Sequence, residues 1–204
     1  EMGKIGLKLI LVRHGETLWN REKRVQGISD IELSERGIEQ VQNLANSLKD
    51  EAIDAIISSP LKRAYQTARI INQFHDLTIE SERDLQELDQ GDLEGVRFSE
   101  LMEHHLSFLE KWLKDPASVV MPNGEALIDL QRRAWGVIER VMKSGKNTLV
   151  ASHGFTIMTI LCKFQNLSLS QFREVHVDTA SKTVVTIKDG KGSVLSLNGT
   201  DHLQ

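Results

Sequence analysis

Leu9-Ile10-Leu11-Val12-Arg13-His14-Gly15-Glu16-Thr17-Leu18-Trp19-Asn20 passes directly from a dense apolar run into a polar, cationic segment. Four apolar residues in succession fit a strand buried on both faces, as in a parallel sheet. Two further segments repeat this pattern. Ala55-Ile56-Ile57 leads into Ser58-Ser59-Pro60-Leu61-Lys62-Arg63, and Thr148-Leu149-Val150-Ala151 leads into Ser152-His153-Gly154. Between them, Ile38, Val41, Leu44, Ala45 and Leu48 fall at helical spacing behind a Ser34 cap. Leu61, Ala64, Ala68 and Ile71 do the same behind Ser59-Pro60. Strands alternating with helices predict an α/β fold.

Downstream, Phe98, Leu101, Met102, His105, Leu109, Trp112 and Leu113 mark a helix that ends before Pro116, and Leu127, Leu130, Ala134, Val137, Ile138 and Val141 mark another. Val184, Val185 and Ile187, then Asp189-Gly190, then Val194, Leu195 and Leu197 read as a β-hairpin closing the sheet. No linker, repeat or low-complexity tract divides the chain, and 204 residues at roughly 150 per domain suggest one domain over 1–204.

The composition narrows the function classes. The formal net charge is −4, which argues against a general nucleic-acid or anionic-membrane binder. An anionic ligand must then be held by a few placed cations. The only cysteine, Cys162, excludes an internal disulfide framework and a multi-thiolate zinc site, and suits the cytoplasm. No apolar run approaches the roughly 20 residues of a membrane span, and the first eight residues have no signal-peptide core.

In open α/β sheets, ligands sit outside the carboxyl ends of the parallel strands. His14 and Arg13, Arg63, and His153 therefore converge at one rim, with the helix start before Arg63 adding its positive end. A lone histidine at a strand end is usually structural. Two of them, each followed by a glycine that allows close backbone approach, point to a bound anion, and phosphate fits best. Other phosphate chemistries lack their residues. Cys162 has Ser168 rather than Arg six positions on, and there is no Asp-x-Asp pair, phosphate-binding Gly-rich loop, Gly-x-Ser-x-Gly elbow or His-Glu-x-x-His pair.

The segment 9–20 resembles the signature of the histidine phosphatase superfamily, phosphoglycerate mutase-like branch. Further family-like features follow in order: Arg24-Val25-Gln26-Gly27, Leu33-Ser34-Glu35-Arg36-Gly37, Ser58 through Ala64, Leu85-Gln86-Glu87, Gly91-Asp92-Leu93-Glu94-Gly95, Gly124-Glu125, Ser152-His153-Gly154 and the tail around His202. The resemblance implies a three-layer α/β/α sandwich around a mostly parallel sheet, with a helical cap near 96–122 that covers the pocket. It implies that His14 attacks phosphorus and becomes a phosphohistidine, its other ring nitrogen pinned by the Gly15 carbonyl. Arg13, Arg63 and His153 would surround the phosphoryl oxygens, and Glu87 would act as general acid and then base. Thr17, Asn20, Gln26, Gly27 and Ser58 are the expected substrate contacts, and neither metal nor cofactor is required.

The expected substrate is a small phosphate monoester: phosphoserine, α-ribazole phosphate, or a sugar or glycerate phosphate. A phosphoglycerate mutase is the nearest alternative, but mutases of this branch carry a longer segment after the acid than residues 91–98 provide. A non-catalytic binding module would be expected to lack one of Arg13, His14, Arg63, Glu87 or His153, and all five are present. Asn123-Gly124-Glu125-Ala126 and Phe155 depart from the family pattern, and both bear on the pocket wall. Of His104 and His105, one is expected to face the core and one the solvent. His202 is expected in a frayed tail, although it folds back in some relatives. A helix or edge strand could pair two protomers as a homodimer.

Overall fold

The computed structural model describes residues 6–204. In chain order it contains β1 (Leu7–Arg13), α1 (Leu18–Arg21), α2 (Glu35–Leu48), β2 (Ala55–Ser58), α3 (Lys62–Asn72), β3 (Ile79–Ser81), α4 (Phe98–His104) and α5 (Leu106–Lys114). Then follow α6 (Leu127–Lys143), β4 (Thr148–Ser152), α7 (Gly154–Phe164), β5 (Lys182–Lys188) and β6 (Lys191–Gly199). One six-stranded sheet has the order β3-β2-β4-β1-β5-β6. The first four strands are parallel, and β5 and β6 form the antiparallel hairpin at one edge.

The period-2 alternation of β1 separates two cores. Leu9 and Leu11 pack with α6 and α7, through residues such as Leu130, Val137, Ile157 and Leu161. Ile10 and Val12 pack with α2 and α3, through Val41, Leu44, Ala68 and Ile71. Helices thus cover both faces of the sheet, giving the three-layer α/β/α sandwich. β4 lies between β1 and β2 and is buried throughout, as its continuous apolar run predicts. β2 differs from expectation. Its residues alternate between half-buried and buried, and it has only the three-residue β3 on its outer side.

Local signals set the boundaries. Ser34 caps α2 by accepting from the Gly37 N–H at 3.0 Å. Asp189 and Gly190 both take positive φ, at 51° and 74°, as a tight hairpin turn requires. The helix expected over 98–113 is broken in two: His105 takes φ −130° and ψ 29°, so α4 ends there and α5 starts at Leu106. No Gly or Pro marks this break. Among the described residues, no helix is long and apolar enough to cross a membrane.

Candidate active site

The carboxyl ends of β1, β2 and β4 lie side by side, with Arg13 paired to Ser152 and Ser58 to Ala151. His14 follows β1, and its backbone N–H donates to the Ser152 carbonyl at 3.1 Å. His153 follows β4, and the two imidazoles stand 5.3 Å apart, tilted by 58°. The His14 Nδ1–H donates to the Gly15 carbonyl at 2.7 Å, which leaves the Nε2 lone pair as the reactive site. Burial, then the charges of Arg63 and Arg13, hold the His14 pKa well below the ordinary histidine value. The ring is therefore held in its neutral form.

Each cation is braced by backbone carbonyls rather than by a carboxylate. Arg13 donates from Nη1 to Val177 at 2.6 Å, and Arg63 donates from Nη1 to Ser29 at 2.7 Å and from Nη2 to Gly27 at 2.5 Å. Burial lowers the Arg63 pKa to about 10, against the pull of Glu87, Glu94 and Asp30, and the group stays cationic at neutral pH. His153 is held well below its ordinary value by burial, then by Arg63, His14 and Arg13. Ser59 Oγ lies 2.7 Å from His153 Nε2. Arg13 Nε, Arg63 Nε and His153 Nδ1 are buried without a hydrogen-bond partner. An unpaired buried polar atom costs about 1–3 kcal/mol, so these three atoms beside or near His14 are held at a cost to the free protein.

Glu87 comes from the loop after β3 and is held at the amino end of α7. Its Oε1 accepts from the Leu88 N–H (2.8 Å), the Thr156 N–H (3.2 Å) and the Thr156 hydroxyl (3.1 Å), and its Oε2 accepts from the Phe155 N–H (3.0 Å). Arg133 on α6 fixes the loop itself. It forms a two-pronged pair with Glu125, at 2.8 and 2.9 Å, and donates to the carbonyls of Asp84, Gln86 and Glu87.

Arg13, His14, Asn20, Gln26 and Glu87 line one end of a cavity of about 610 Å³ that extends under α4 and α5. Arg63 and His153 are fully buried beside His14. Thr17, Gly27 and Ser58 do not line the cavity, and each braces a neighbour instead. Thr17 caps α1, with its hydroxyl 3.0 Å from Asn20 Oδ1 and 2.7 Å from Gln26 Oε1. Gly27 holds Arg63 through its carbonyl, and a Cβ there would collide with the Leu88 carbonyl and the Glu94 carboxylate. Ser58 donates to the Ser59 carbonyl.

Other expectations change as well. Gly15 and Gly154 serve packing rather than anion approach: a Cβ on Gly15 would meet the Gly37 carbonyl at 2.6 Å, and one on Gly154 would meet the Arg13 guanidinium at 3.2 Å. At the start of α3 the Lys62 N–H is already taken, donating to Asp30 at 2.7 Å. His104 and His105 are both exposed. His202 sits in an ordered turn, Asp201–Leu203, and bonds the Ala180 carbonyl at 2.7 Å, while the Ala180 N–H donates to the His14 carbonyl. Ser59, Thr156 and Arg133 carry no mark in the sequence that separates them from ordinary strand-end and helix residues.

The sequence and the fold both have counterparts among known proteins. A phosphoserine phosphatase 1 of Hydrogenobacter thermophilus is 37% identical over 97% of this chain and 94% of its own. A Yersinia pestis protein named "Probable phosphoglycerate mutase GpmB" is 32% identical over 90% of this chain and 86% of its own. The solved structure of Bacillus stearothermophilus YhfR superposes with a TM-score of 0.92 at 27% identity, over 97% of this chain and 100% of that one. The model of the histidine phosphatase superfamily (branch 1) matches residues 9–200, which include every group that surrounds His14, and the chain belongs to that family.

Proposed function

We propose that the protein hydrolyses phosphate monoesters of small metabolites through a phosphohistidine on His14. The observation that carries this reading is the state of His14: neutral, pinned through Nδ1, and placed beside two arginines that are held by backbone carbonyls rather than by a salt bridge. His14 Nε2 attacks phosphorus as the P–O bond to the alcohol breaks, and Glu87 gives its proton to the departing oxygen. Water then attacks the phosphohistidine. Glu87 takes the proton from this water, the N–P bond breaks, and inorganic phosphate and neutral His14 are restored. Arg13, Arg63 and His153 stabilise the equatorial oxygens through both steps, so the proposed chemistry runs without a metal.

Several features of the chain support the details. Glu87 Oε2 accepts a single hydrogen bond and keeps a lone pair for proton exchange. Phosphatases among the relatives, and the short segment between Glu87 and Phe98, favour hydrolysis over mutase action. The one thiol, Cys162, is buried, and burial pushes its pKa up to about 11, which suits a chain in the reducing cytoplasm. The test is phosphate release in excess chelator, together with an alkaline detergent quench that preserves an acid-labile, base-stable phosphoenzyme. His14→Ala is expected to lose about 10⁴-fold or more in kcat and all phosphoenzyme. Conversion of 3-phosphoglycerate to its 2-isomer without phosphate release would establish the mutase instead.

A further inference from the structure

The far end of the cavity is built from different material. Leu101, Leu109 and Trp112 of the cap face Phe155 and Met158 of α7 and Phe172 beyond it. Trp112, Phe155 and Phe172 form a closed group of tilted rings with centroids 5.4–5.7 Å apart. Phe98 and Leu113 stand at the rim, 47% and 56% exposed although both are large and apolar. Among the described residues that line the cavity, Glu87 is the only carboxylate, and all its hydrogen bonds are to α7 and its own loop. Arg24, Arg173 and His176 also line the cavity, and Arg173 already stands 5.4 Å over the Trp112 and Phe172 rings, so this wall offers the ammonium group of an amino-acid ester no carboxylate and two aromatic faces that a cation occupies.

Resting on the phosphatase reading above, we propose that the preferred substrates are phosphate monoesters of aromatic or extended apolar alcohols, rather than of a small zwitterion such as phosphoserine. The phosphoryl group is fixed at His14 by Arg13 and Arg63, so the alcohol must leave that end along the cavity. It then meets the wall of Phe155, Trp112 and Met158, and reaches the rim at Phe98 and Leu113. The cavity volume of about 610 Å³ lies in the range of roughly 300–1,000 Å³ that holds larger organic ligands. Burial of one phenyl group against such a wall favours the larger ester by at least about tenfold.

The experiment compares kcat/KM for 3-phenylpropyl phosphate, ethyl phosphate and phospho-L-serine. The first two have alcohols of similar acidity, so their ratio reads the cavity and not the leaving group. The phenylpropyl ester is expected to lead both others by at least about tenfold. The double variant Phe98→Ser/Leu113→Ser, at two half-exposed positions of the rim, is expected to lower the ratio of kcat/KM for phenylpropyl over ethyl phosphate by threefold or more. Equal or better turnover of ethyl phosphate or phosphoserine overturns the inference and leaves the phosphatase reading standing. Failure to hydrolyse any ester overturns the phosphatase reading itself. Calorimetry with 3-phenylpropylphosphonate and ethylphosphonate then decides the cavity separately: tenfold tighter binding of the former upholds the preference, and equal binding ends it.

Discussion

At the phosphate end of the cavity, His14, Arg63 and Glu87 are buried and tied to backbone, and His153 is buried against Ser59; at the cap end, several apolar side chains stand half in water. His14, Arg63, His153 and Glu87 are each 6% exposed or less, whereas Phe98, Met102, Leu106 and Leu113 are all exposed. The buried end spends fold stability on geometry. Keeping two neutral histidines beside two arginines, with three polar atoms unpaired, is unfavourable for the free protein and favourable for a bound phosphoryl group. The cap end makes no such sacrifice, since it has only to offer apolar surface. The difference teaches that transition-state stabilisation needs over-determined positions, while leaving-group selection tolerates looser ones.

This contrast is broken most directly at Arg63. Arg63→Met removes a cation from the site and the donors to Gly27 and Ser29, and is expected to lower kcat by about 10²–10³-fold in steady-state assays. A loss below tenfold would place Arg63 among structural supports. Acidification probes the same end without mutation. The folded-state pKa values of His14 and His153 lie below the ordinary value near 6.5, so above that pH neither state carries the extra protons. As pH falls below about 6.5 the unfolded chain takes up protons that the folded chain refuses. Stability is then expected to drop by up to about 1.4 kcal/mol per histidine per pH unit, visible as a falling urea midpoint between pH 7.5 and 5.5. A flat midpoint would show that the two rings are more solvated than their burial implies.

Arg133 sharpens the comparison, because it belongs to the over-determined end without touching the cavity. Arg133→Met is expected to lower kcat by about tenfold with little change in KM, since it loosens the loop that aims Glu87. Arg133→Lys should recover only part of this, because an ammonium cannot reproduce the two-pronged contact with Glu125. The smallest effect belongs to the cap. His104→Ala with His105→Ala, at two exposed positions, should shift stability by less than about 0.5 kcal/mol and leave kcat/KM for ethyl phosphate within twofold. A larger loss would draw the α4–α5 junction into the chemistry.

How much of this is legible in the sequence follows the same division. His14, Arg13 and His153 could be placed because each follows a strand whose apolar run is unmistakable, and strand ends gather at one rim. Side-chain direction could not be placed in the same way. Ser58 and Ser59 are adjacent and chemically identical, yet only Ser59 reaches His153, because successive residues at a strand end point to opposite sides. Thr17 and Gly27 sit in the right loop but support Asn20, Gln26 and Arg63 from behind, a distinction made by packing alone. Arg133 reads as one more charge in Gln131-Arg132-Arg133, and its importance comes from a loop some 46 residues away. The break at His105 lacks any helix-breaking residue, so the 3.6-residue pattern runs through it unchanged.

The insertion of β4 between β1 and β2 has a consequence for how the molecule comes into being. During synthesis, β1 and β2 emerge early but do not pair with each other; their shared neighbour follows 139 residues after the β1 residue it meets, as Leu9 pairs with Thr148. Such a distant pairing is slow to form, and it completes the rim only when His153 arrives with it. A chain that stops short of residue 148 therefore lacks the strand that joins β1 to β2, and with it the His153 side of the rim.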